Sequence, residues 1–71
     1  MEQTRLSINK IKCDSSEYHE IEVKFLKERF LQKKPIPSPW INKKNEVVAF
    51  HSSYFVSKEL GHKKMLVVPQ Q

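Results

Sequence analysis

The chain has a single cysteine, Cys13, so no internal disulfide can form, and it offers no C-x-x-C pair or Cys/His cluster for a structural metal. Long apolar runs are missing too. The longest, residues 47–50 and 65–68, are four residues each, far short of the roughly 20 that a membrane-spanning helix needs. No apolar stretch follows Met1-Glu2-Gln3-Thr4-Arg5 as it does in a secretory leader. A soluble, untargeted, cytoplasmic protein is the expectation. There are no repeats, no low-complexity segment and no long linker. At 71 residues, one small domain spanning residues 1–71 is expected, burying only about 60% of its unfolded surface and held by its core alone.

Signatures of catalysis are equally scarce. G-x-S-x-G and H-E-x-x-H do not occur, and His19, His51 and His62 are scattered. The carboxylates gather in one helical segment, where the helix dipole accounts for them. A non-enzymatic protein with no cofactor and no metal is therefore expected. Acidic residues are outnumbered, 8 against 13 Lys and Arg, for a net charge of +5. In so small a domain that excess attracts polyanions at long range.

What is present reads as a short series of elements. Residues 5–12 alternate polar and apolar through Leu6, Ile8 and Ile11, with a break at Asn9-Lys10, which predicts a half-buried strand. Cys13-Asp14-Ser15-Ser16 supplies turn and cap chemistry. Residues 17–33 are patterned as a helix, with Glu17, Glu20 and Glu22 early and Lys27, Arg29 and Lys33 late. Val23, Leu26 and Phe30 form its core stripe. Tyr18, Ile21 and Phe25 form a second stripe, which either widens the core contact or meets a partner or a second copy.

Pro35, Pro37 and Pro39 stop that helix. Trp40-Ile41 and residues 46–50 then read as strands around the turn Asn42-Lys43-Lys44-Asn45, with Trp40 in the core. Ser52 or Ser53 is suited to cap a second helix reaching Leu60, with Val56 inward and Gly61, the only glycine, just past its end. Residues 65–68 make a last buried strand before Pro69. The order is β-α-β-β-α-β, an α+β domain with a mixed sheet and two helices.

That order, and the run Phe50-His51-Ser52-Ser53-Tyr54-Phe55-Val56-Ser57-Lys58-Glu59-Leu60-Gly61-His62, resembles the ParB/sulfiredoxin-like superfamily, as a small degenerate member. In that family a strand commonly ends in a G-H-x-R-type motif, followed by a helix closing in a K-x-L-G-like signature and a last apolar strand. Leu6-Ser7-Ile8-Asn9-Lys10-Ile11 resembles the family's opening strand, Val23-Lys24-Phe25-Leu26 its first helix, and Pro39-Trp40-Ile41 the strand before the motif. The likeness covers residues 6–69. It implies the fold, and a ligand site where the second helix begins.

His51 matches the motif, whereas Phe50 stands where the family has glycine and Ser53 where it has arginine. Glycine there lets a phosphate approach the backbone, and arginine clamps it. Nor does a second, arginine-rich motif of the kind ParB proteins use with nucleotide occur. Sulfiredoxin's cysteine belongs at this junction, and Cys13 lies far from it in sequence.

Two sets of candidate binding residues remain. His51, Ser52 and Ser53, with Lys33 and Lys34 brought to the same end of the sheet if both crossovers are parallel, would hold an anion. Lys43-Lys44 and Lys63-Lys64 would form a basic edge at the other end. The leading expectation is a regulatory binding module for nucleic acid. The alternatives are a protein-interaction module of phage or mobile-element type, docking through Tyr18, Ile21 and Phe25, and a residual nucleotide-dependent enzyme or nuclease.

Overall fold

A computed structural model describes residues 3–70. Along the chain run β1 (Thr4–Ser7), α1 (Glu20–Leu31), β2 (Trp40–Ile41), β3 (Val47–Ala49), α2 (His51–Glu59) and β4 (Lys64–Pro69). The β-α-β-β-α-β order is as expected. The strands form one sheet in the order β1-β4-β2-β3.

β4 is central: it pairs antiparallel with β1 and parallel with β2, while β3 runs antiparallel to β2. Only β2 and β4 are parallel neighbours. Neither helix therefore joins parallel strands, which corrects the assumption of two parallel crossovers. Periodicity reports which face a side chain takes, not which way a strand runs, so direction had no local signal.

The core joins Ile8, Ile11, Val23, Leu26, Ile41 and Val47 to Tyr54, Phe55, Val56, Met65 and Val67. Met65 and Val67 are two residues apart on β4 and so share the face that meets the helices. Val23, Val56 and Val67 are fully enclosed.

β1 is shorter than the alternation suggested. After Ser7 the chain makes a 3-10 turn at Ile8–Lys10, closed by the Ile11 amide donating to the Ile8 carbonyl at 3.1 Å. The turn falls on Asn9-Lys10, where the alternation breaks. Lys12 then bridges to Glu46, on the opposite side of the sheet from β1.

α1 begins three residues later than its charge pattern suggested, because Ser15–Glu17 closes a separate 3-10 turn. Asp14 caps that turn, accepting from the Ser16 amide at 2.9 Å. Val23 and Leu26 are buried as expected, but Phe30 is exposed.

Both helices end the same way. In α1 the Lys33 amide donates to the Phe30 carbonyl and the Lys34 amide to that of Arg29; in α2 Gly61 donates to Lys58 and His62 to Ser57. These are Schellman closures, which need a left-handed residue. Gly61 supplies it at φ 76 without strain, whereas Lys33 adopts it at φ 62 against its own Cβ.

Trp40 is half-buried and not a core residue. Ile41 takes the inward position of the two-residue β2, and alternation turns Trp40 to the other face. There its ring meets Phe50 edge-on, 6.1 Å between centroids.

Candidate functional site

α2 follows β3 with a single intervening residue, Phe50, so the chain must turn within it. Phe50 does so in the left-handed region, φ 59 and ψ 45, and is itself the N-cap without a side-chain cap bond. The expected serine cap is absent. Ser52 and Ser53 lie instead within the first turn of α2 and are buried.

Ser53 is 1% exposed and its Oγ has no hydrogen-bond partner. A buried hydroxyl left unpaired destabilises by about 1–3 kcal/mol, so it marks a place where packing alone does not explain the residue. Ser53 and Ser57, one turn apart on α2, line a cleft of about 420 Å³. Its opposite wall is the proline segment, residues 35–39, tied to β4 by the Val68 amide donating to the Pro39 carbonyl at 2.8 Å. The Gln3 side chain adds a bond to Ser38 Oγ at 3.1 Å.

Each polar group reaches the cleft for a local reason. Lys34 and His62 follow the left-handed residues that close α1 and α2, so both helix ends turn toward the same space. Arg5 pairs with Leu66 across the antiparallel ladder, and Lys64 lies two residues from Leu66, so these three line the cleft from the sheet face opposite to Met65 and the helices. Phe30 and His62 stack at a tilt, 5.2 Å between centroids, beside Met65 and Leu66.

The lining thus holds Arg5, Lys34, Lys64 and His62, three serines (Ser38, Ser53 and Ser57) and apolar walls, and it includes no carboxylate. That chemistry suits an anion carrying an apolar part.

Of the sequence-based site residues, Lys34, Ser53 and Lys64 come together here. Lys33, His51 and Ser52 are not in the lining. Lys34 nears Ser53 through the helix closure and the proline segment, not through a parallel crossover. Arg5, Ser57 and His62 were missed. A signal existed for two of them: Ser53 and Ser57 are spaced i,i+4, and His62 follows the helix-ending glycine.

The basic edge is not one edge. Lys63-Lys64 stand where β4 starts, while Lys43-Lys44 follow Ile41, which pairs with Pro69 at the end of β4. The six-residue strand separates the two pairs by about 20 Å. The hairpin tip is organised by Asn42, whose Oδ1 accepts from the amides of Lys44 at 2.9 Å and Glu46 at 3.0 Å.

The second stripe of α1 divides. Tyr18 precedes the helix and its ring packs edge-on against Phe55 at 5.1 Å, with its hydroxyl 3.4 Å from Glu59 Oε2. Ile21 and Phe25 face solvent.

Cys13 lies in a separate depression with Asp14, Asn42 and Glu46. Burial, followed by the nearby carboxylates of Glu17 and Asp14, pushes its thiol up to about 11. The thiolate is the reactive form, so alkylation at pH 8 is expected to run about a hundredfold slower than for an ordinary cysteine and to accelerate only as pH approaches that value. Iodoacetamide labelling followed by mass spectrometry across pH 7–11 checks this; rapid labelling at pH 8 would refute the half-buried, anion-flanked setting.

Among the described residues no cluster of three His, Cys, Asp or Glu could hold a metal ion, and no helix is long and apolar enough to cross a membrane.

No family model and no curated protein matches the sequence. Solved structures match the fold. Sulfiredoxin from Arabidopsis thaliana superposes with a TM-score of 0.80 at 13% identity, covering 100% of this chain and 86% of that one. A Pnob8-like ParB-N domain gives 0.75 at 16% identity, and a second structure of a pNOB8-like ParB N-domain gives 0.67 at 18%. This chain spans 29% and 28% of those two chains' lengths. At such identities the likeness shows the fold, and the fold is ParB/sulfiredoxin-like, as the residues at the β3–α2 junction suggested.

Proposed function

We propose that this chain is a non-enzymatic binding module that takes nucleic acid by seating backbone phosphate in the cleft between α2 and the proline segment. One observation carries the reading: Arg5, Lys34, Lys64 and His62 converge on a lining without a carboxylate, beside the unpartnered hydroxyl of Ser53. The net charge of +5 supports the same class of ligand at longer range. The protonated thiol of Cys13 and its distance in sequence from the junction argue against a sulfiredoxin-like chemistry.

Titration with generic DNA at two salt concentrations tests the proposal. Binding should be detectable at about 50 mM salt and weaken with a log–log slope of a few units, set by the number of phosphates contacted. No binding at the lower salt would end it.

A second reading is favoured by Ile21 and Phe25, apolar side chains that the fold leaves in solvent: that face of α1 serves as a protein interface.

A further inference from the structure

α1 carries three strongly exposed apolar side chains, Ile21, Phe25 and Leu31, of which the first two form one stripe. Ile21 is 87% exposed and Phe25 57% exposed, one turn apart, while Val23 and Leu26 supply the core contact. At about 100° per residue, Glu22 and Arg29 fall on one side of Phe25, and Lys24 and Glu28 on the other. Each flank of the apolar stripe therefore holds one acid and one base.

We propose that a second copy of this chain covers the stripe, with the two α1 helices antiparallel about a two-fold axis at Phe25. The proposal rests on the reading of this face as an interface and names its occupant. A two-fold axis across antiparallel helices brings each flank against its own equivalent. Positions at equal distance from Phe25, on either side of it along the helix, then face one another.

On one flank, Arg29 of the second copy comes within about 1.5 Å of helix rise of the level of Glu22. On the other, Glu28 of the second copy comes within about 3 Å of the level of Lys24. Both contacts occur twice by symmetry, so opposite charges surround a central Phe25 pair. Arg29 lies over the edge of the stripe, its guanidinium 5.9 Å from the Phe25 ring centroid, and gives one N–H to the Pro35 carbonyl at 3.3 Å, with other N–H groups to offer. Opposed helix dipoles favour the same antiparallel arrangement, which also sets the acidic start of α1, Glu20 and Glu22, toward the end that carries Arg29.

Sedimentation equilibrium on the full chain tests this. The weight-average mass should rise from 8.4 kDa toward twice that value as concentration approaches about 1 mM, as suits an interface smaller than the standard size. Phe25→Asp should hold it at one chain, with circular dichroism confirming that the variant is folded. Lys24→Glu and Glu28→Lys should each weaken association by about tenfold, and the two combined should restore it. A parallel pair behaves differently, because there Lys24 meets Glu22 and Glu28 meets Arg29, so the double reversal would weaken it further.

A chain that stays at 8.4 kDa throughout overturns the second copy. If Phe25→Asp then still removes a cross-linked partner of different sequence, only the occupant was wrong; if it changes nothing, the interface reading fails as well. A dimer that survives Phe25→Asp, or that the double reversal does not restore, overturns the geometry.

Discussion

A chain carrying Arg5→Gln, Lys34→Gln and Lys64→Gln together is expected to lose roughly three orders of magnitude in affinity for DNA at about 50 mM salt. The magnitude follows from counterion release. Each phosphate neutralised contributes close to one unit of log–log slope, so at that salt each contact is worth about tenfold. The slope itself should fall by about 2 to 3 units. Lys43→Gln with Lys44→Gln is the control, compared per charge removed, since that pair stands about 20 Å away along β4. If the control costs as much per charge as the triple variant, the charge acts as a diffuse field and the cleft is not the seat. The three positions come from β1, the α1 closure and β4, and all are exposed, so loss of fold is not expected to confuse the result.

Ser53→Ala should move stability and binding in opposite directions. Alanine removes the buried, unpartnered oxygen and leaves the backbone of α2 unchanged. Relief of about 1–3 kcal/mol is expected, and in a domain of this size each kcal/mol raises the melting temperature by about 4–8 °C. The same change removes a hydroxyl that would otherwise donate to a phosphate oxygen, and affinity should fall by about tenfold. Thermal unfolding and DNA titration on the same preparation read both effects. A variant that is less stable would mean the hydroxyl has a structural partner. One that is more stable and binds equally well would separate Ser53 from the ligand.

Much of this architecture was legible in local pattern, because local physics decides it. The prolines that end α1, the glycine that ends α2, and the apolar runs of β3 and β4 each act within a few residues. Strand direction is different. Whether β2 lies parallel to β4 is settled by bonds such as the Gln70 amide donating to the Ile41 carbonyl at 2.7 Å, which joins residues far apart in sequence. Trp40 was misplaced for a related reason: in a two-residue strand, the choice of inward position belongs to the partners. At the β3–α2 junction, serine chemistry suggested a cap, but the tight connection gave that task to Phe50 in a conformation that phenylalanine rarely adopts.

The candidate site was half legible. Lys34, Ser53 and Lys64 carry obvious chemistry, and the fold brings them together. Arg5 is a lone cation on a strand, and nothing in its sequence neighbourhood connects it to Lys64; that link exists only in the antiparallel register. Lys43-Lys44 drew the same attention as Lys63-Lys64, and only topology separates them.

The proline segment that walls the cleft has a consequence for how a ligand would be received. Three ring-fixed φ angles and the bond from Val68 set its shape before anything arrives. A preorganised wall surrenders little conformational entropy on association. Capture should then be fast and steered by charge, with little induced fit, and selectivity should reside in the spacing of the cations around a rigid aperture. Replacing those prolines would loosen the aperture without touching a single charged group.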